Sequence, residues 1–143
     1  MTHSPSDVLR KLLIDLGVGA DPPATPWPIY VGGEPPSPDN AVTIYDTAGA
    51  DGGRAMFAGT LLGWVGVQVR VRSSDHPTGW TKADAIQTTL AESVYDERVT
   101  VGASTYLVHC LSKIGDVLAI GKESPTSKRS LFTFNALMSV KQL

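Results

Sequence analysis

The sequence predicts an α+β domain, a mostly antiparallel sheet with two helices packed on one face. Three observations predict it. The segment "GWVGVQVRVR" alternates strictly: Val65, Val67, Val69 and Val71 point one way, and Gln68, Arg70 and Arg72 the other. That is a strand with one dry and one wet face, which favours antiparallel pairing. Two other segments carry apolar residues at three- and four-residue steps, the period of an amphipathic helix. Runs of strands broken by only two helices make an α+β sandwich, most simply with both helices on the valine face.

The elements follow in order. Ser4 can cap a first helix, Pro5 suits its first position, and Asp7 completes a weak Ser-x-x-Asp box. Val8, Leu9, Leu12, Leu13 and Leu16 form its apolar face, and Gly17 and Gly19 stop it. "ADPPATPWP" is an extended connector, because proline lacks the donor that helix and central strand need. "WPIYVGG" is a short strand, "EPPSPDN" a turn and "AVTIYDT" a second strand, with Val42 and Ile44 on one face and Thr43 and Tyr45 on the other. A glycine-rich loop spans 47–59 and leads into the valine strand.

A second helix is expected from Thr78 to Tyr95, with Trp80, Ala83, Ile86, Leu90 and Val94 facing the sheet. "RVTVGASTYLVHCLSK" reads as a hairpin turning near Gly102. "DVLAIGKE" is a further strand and "SPTSKRS" a polar break. "LFTFNALMSVK" closes the chain with Phe132, Phe134, Ala136, Met138 and Val140 on one face. No internal repeat is visible.

Length and composition narrow the class. A chain of 143 residues suits a single domain, 1–143, and needs neither disulfide nor metal to bury a core. The net charge of -2 gives no electrostatic case for a nucleic-acid or membrane partner. Charged residues make up 18% of the chain, below the usual quarter, which fits a surface that meets other subunits. The lone Cys110 excludes an intrachain disulfide and is compatible with a reducing cytoplasm. The N-terminal segment has neither the basic region nor the apolar run of a signal peptide or membrane span.

Catalytic and cofactor chemistry find no motif. "VGGEPP" and "GADGGRAMFAG" lack the Lys-Ser/Thr and the following helix of a phosphate cradle. "SSDHPTGW" places Ser, Asp and His on one turn, where adjacent side chains diverge, so Asp75 or Thr78 reads as a helix cap. His109 and Cys110 are strand neighbours facing opposite sides, with Cys110 on the face of Tyr106 and Val108 as a small buried residue. One Cys and three scattered His make no metal spacing. No catalytic residue, cofactor or metal ligand is therefore assigned. From the residues alone the chain is a non-catalytic interaction module with one long loop.

The order "VTIYDTAG", loop, "VGVQVRVR", helix with "ADAIQTTL", hairpin around "VTVGASTYLV", "LAIGKE" and "RSLFTFNALMSV" resembles phage minor capsid proteins of the tail-terminator type. The shared features are Ile44, Tyr45, Asp46, Thr47 and Gly49, then Gln68 and Arg72; "IGKESPTSKRS" departs from the Gly- and Asp-bearing loop of the relatives. The resemblance implies a structural virion protein, made in the host cytoplasm. It would form a homohexameric ring on the head-proximal end of the tail tube, stop tube growth and meet the head connector in the neck. DNA would only pass through the channel, and no membrane is involved. Another head-tail joining, tail completion or neck protein is the alternative, and a small hydrolase or ligand-binding domain a third class.

A ring needs a heterologous interface, in which one patch meets a different patch on the neighbour. Sheet edges suit that purpose, and the "WPIYVGG" strand and the closing strand are the edges expected. Candidate interface residues are Trp27, Ile29, Tyr30, Thr47, Gly49, Gly52, Gly53, Arg54 and Phe57. The glycines give the 47–59 loop high entropy when free, so contacts in the assembly are expected to order it. Gln68, Arg70 and Arg72 are the candidate channel-facing residues.

Overall fold

The computed structural model describes residues 1–54 and 61–143. It contains two helices, α1 (Pro5–Asp15) and α2 (His76–Ser93). Its six strands are β1 (Ile29–Val31), β2 (Ala41–Arg54), β3 (Leu61–Ser73), β4 (Glu97–Val101), β5 (Ser104–Lys122) and β6 (Ser130–Gln142). They form one sheet in the order β1-β2-β3-β6-β5-β4, antiparallel throughout except for the parallel β1–β2 pair.

Register explains why the core lies where it does. Val71 pairs with Val42 on one side and Phe132 on the other, and Val69 with Ile44 and Phe134. Directly paired residues share a face, so the alternation of three strands adds up to one apolar surface. These residues join Val8, Leu9, Leu12 and Leu13 of α1 and Ala83, Ile86 and Leu90 of α2 in a single core cluster. Burial of each large aliphatic side chain contributes roughly 1.5–3 kcal/mol.

Local chemistry fixes the helix ends. Ser4 is the N-cap of α1, its hydroxyl accepting from the Asp7 amide at 3.3 Å and donating to the Asp7 carboxylate at 2.8 Å. A second carboxylate reinforces this end. Asp46, just past the core of β2, accepts from the Ser6 amide at 2.9 Å and the Ser6 hydroxyl at 2.8 Å. The amide-rich helix start favours negative charge. After Leu16, Gly17 turns the chain at φ 76°, a conformation that glycine adopts without strain. In α2, Asp75 is the N-cap and accepts from the Thr78 amide at 2.8 Å.

Several features of the fold depart from the sequence reading. The segment from Thr47 to Arg54 is strand, paired with Leu61–Gly66 through two irregularities, instead of an open loop. Its glycines allow the bulges: a methyl group on Gly49 would strike the Trp64 carbonyl, and one on Gly66 the Ala48 carbonyl. "DVLAIGKE" continues β5, since a bulge around Gly115–Val117 lets the strand bend without ending. The closing strand β6 is interior, between β3 and β5, so it offers no edge. Trp80 lies partly outside the core at 42% exposure, and the glycine before it is buried against the Phe132 ring instead.

Candidate functional site

The wet face of β3 carries charges that hold the protomer together. Arg72 is only 2% exposed. Its guanidinium donates to the carbonyls of Pro38 at 2.7 Å and Asp39 at 3.3 Å and faces Glu123 at 3.6 Å. Glu123 also pairs with Arg129 at 2.6 Å, and Arg129 donates to the Pro36 carbonyl at 2.6 Å and approaches Asp39 at 3.6 Å. This network joins the 32–40 turn and the 123–129 break across the end of β3. Two elements read as unrelated polar loops are one unit, clamped by a buried cation. Arg72 is therefore removed from any channel lining in the protomer.

Arg70, two residues away on the same face, is half-buried. It pairs with Glu34 at 3.3 Å and lies over the Tyr45 ring at 5.5 Å from the centroid. Burial, and then the charge of Glu34, push the Tyr45 phenol above its usual range. Gln68 is half-buried beside Tyr45 in register. These two residues keep part of their surface on the wet face.

The candidate interface residues divide. Ile29 is fully buried and belongs to the core, since β1 pairs Ile29 with Val42 on the apolar face. Tyr30 and Trp27 are half-buried. Trp27 has a left-handed backbone (φ 56°) and holds its ring 5.5 Å from the Lys82 ammonium, which in turn donates to the Val18 carbonyl. Burial lowers the affinity of Lys82 for its proton. Thr47 and Gly49 are exposed on the part of β2 beyond β1. Gly52, Gly53 and Arg54 lie in the distal part of β2, and Phe57 lies outside the described residues.

Groups capable of chemistry do not converge. Among the described residues no group of three or more His, Cys, Asp or Glu could hold a metal ion. His76 packs edge-on against Phe132 at 5.0 Å. His3 sits against the buried Tyr106, whose hydroxyl is 2.8 Å from Nδ1. His109 pairs with Asp96 at 2.7 Å on the surface. Cys110 is half-buried, and it does not share the face of Tyr106 and Val108. A register shift between Val108 and Cys110 sets Cys110 opposite Ser139 while Val108 opposes Val140, so the bulge at His109 inverts the alternation. A surface groove of about 580 Å³ runs between His76, Pro77, Trp80, Thr81 and Ala119. No helix of the described residues is long and apolar enough to cross a membrane.

What the fold does present is backbone at its margins. β1 covers β2 only from Val42 to Ile44, and β4 covers β5 only from Ser104 to Val108. Among the described residues, β2 beyond Ile44 and β5 beyond His109 have no strand along their outer sides. The sequence gives no direct signal for this, because coverage depends on where short strands stop.

An α+β sheet protein whose buried charges clamp loops, and whose strand edges stay open at both sides, has the features of an assembly subunit. The family model described as bacteriophage tail terminator protein matches residues 12–108, more than half of the chain. The chain belongs to the bacteriophage tail terminator family, and it is a structural component of the virion tail. No match was found among curated proteins.

Proposed function

We propose that this protein caps the head-proximal end of the tail tube as a homohexameric ring, stops tube growth there and joins the tube to the head connector in the neck. Family membership carries this reading. The open edges support it, because a closed cyclic ring needs two different complementary patches on one subunit. Both helices lie on the valine face in this reading, leaving the wet face with Gln68 and Arg70 toward the channel through which DNA passes. The partners are further copies of the chain, the tube protein and the connector, and the protein carries out no catalysis.

Mixing purified protein with its tail tubes tests the reading by electron microscopy. Rings about six times 15.2 kDa in mass at one tube end are the expected result. Loss of the gene should give overlong tubes. Normal tube lengths with unjoined heads would instead identify another head-tail joining protein.

A further inference from the structure

The two open strand edges differ in composition and position. Seven large apolar side chains are exposed among the described residues, and four of them line the β5 side: Leu118 at 62%, Ile114 at 52%, Ile120 at 48% and Trp80 on the adjoining helix. Isolated exposed apolar residues are ordinary, but a row of them along unpaired backbone marks a contact surface. The bulge at Gly115–Val117 divides this edge. Val117 turns inward and is buried, and the Gly115 carbonyl is taken by the Gln87 side chain at 3.2 Å. Leu118 to Lys122 remain with only β6 beside them.

At the opposite margin, β2 from Asp46 onward offers small residues, Thr47, Ala48 and Gly49, which permit close approach of another backbone. Strand direction also suits a join. The four strands β2-β3-β6-β5 alternate strictly. Their number is even, so the β2 of a following copy in the same orientation would run antiparallel to β5. Identical orientation is what cyclic symmetry demands.

We propose that Leu118–Ile120 of one copy pairs antiparallel with the Tyr45–Thr47 segment of β2 in the next, with Leu118 opposite Thr47. This rests on the ring reading above and identifies its interface. Within one sheet, register carries Leu118 through Thr133 and Arg70 to Thr43. Pairing with Thr47 therefore displaces the neighbour by about four residues, roughly 13 Å along the strands. The displacement accrues across four strand spacings, roughly 19 Å. The strands then incline about 35° to the ring axis, within the range that closed sheets adopt. Leu118 and Thr47 share the wet face of their own sheets, so the two faces continue across the join: Thr43 pairs with Arg70 and Arg70 with Thr133, opposite Leu118.

The test is disulfide trapping on tail tubes in a Cys110→Ser background. Thr47→Cys combined with Leu118→Cys should give, under non-reducing denaturing conditions, a ladder in steps of 15.2 kDa that collapses on reduction and is absent from either single variant. Opposed strand residues satisfy the Cα separation a disulfide needs. Rings on the tubes without such a ladder would overturn the pairing while leaving the ring intact. Failure of the parent protein to form rings would overturn the ring reading and the pairing with it. As a second variant, Leu118→Lys places a charge on the exposed edge. It should raise the protein concentration needed for ring formation at least tenfold with an unchanged melting temperature. Unaltered assembly would count against the edge.

Discussion

Arg72 is the residue on which sequence and environment diverge most. Alternation correctly put its side chain on the face opposite the valines, but alternation cannot tell whether a loop covers that face. The Pro38 and Asp39 carbonyls and Glu123 reach it from positions 33 or more residues away in sequence. Removing the cation leaves the part-buried bonds to the Pro38 and Asp39 carbonyls unmade and a cavity where a buried side chain stood, so Arg72→Ala is expected to cost about 2–4 kcal/mol in urea unfolding. Arg70→Ala, which loses a part-exposed pair with Glu34, should cost under about 1 kcal/mol. Equal losses would refute the distinction. Capping residues were far more legible, because Ser4 and Asp75 act within three residues of themselves. Asp46 was read only as part of a family motif; its contact with Ser6 crosses 40 positions. Asp46→Ala should lower stability by about 1–2 kcal/mol and loosen α1, visible as faster amide exchange in its first turn.

At the scale of elements, Gly79 reverses a usual preference. Alanine in place of glycine inside a helix ordinarily gains up to about 1 kcal/mol. Here an added methyl would run into the Phe132 ring and Ser73. Gly79→Ala is therefore expected to lower the melting temperature, and a rise would show that α2 can lift off the sheet at no cost. The start of α2 also has a pH signature. Its cap, Asp75, titrates below the usual carboxylate range because it accepts hydrogen bonds from Thr78. Its folded pKa lies under its unfolded one, so the cap is fully effective above pH about 4 and weakens as pH falls further. Asp75→Asn should keep the cap and flatten that acid dependence in thermal melts between pH 5 and 2. The helices, the valine strand and the Gly102 turn were all visible as periodicity or turn chemistry. The bulges at His109 and Gly115 were not, since one extra residue resets the alternation without changing the local composition.

The order of the sheet was the part of the whole molecule hidden from sequence. β6 enters between β3 and β5, and that pairing joins Val65 to Met138 and Cys110 to Ser139 across long stretches of chain. Burial patterns fix which face each strand turns inward, but not which neighbour it takes. That insertion leaves β2 and β5, not the closing strand, to carry the open margins. The two ends of the sheet also differ. The β2–β3 ribbon, the Gly102 turn and both chain termini gather at one end, where Thr2 bonds Gln142. The Arg72-clamped segments 32–40 and 123–129 occupy the other. If copies join side by side in one orientation, every ribbon emerges from one lip and every clamp from the other. A single gene then yields a collar with polarity, able to hold two unlike neighbours along one axis without a second protein to tell top from bottom.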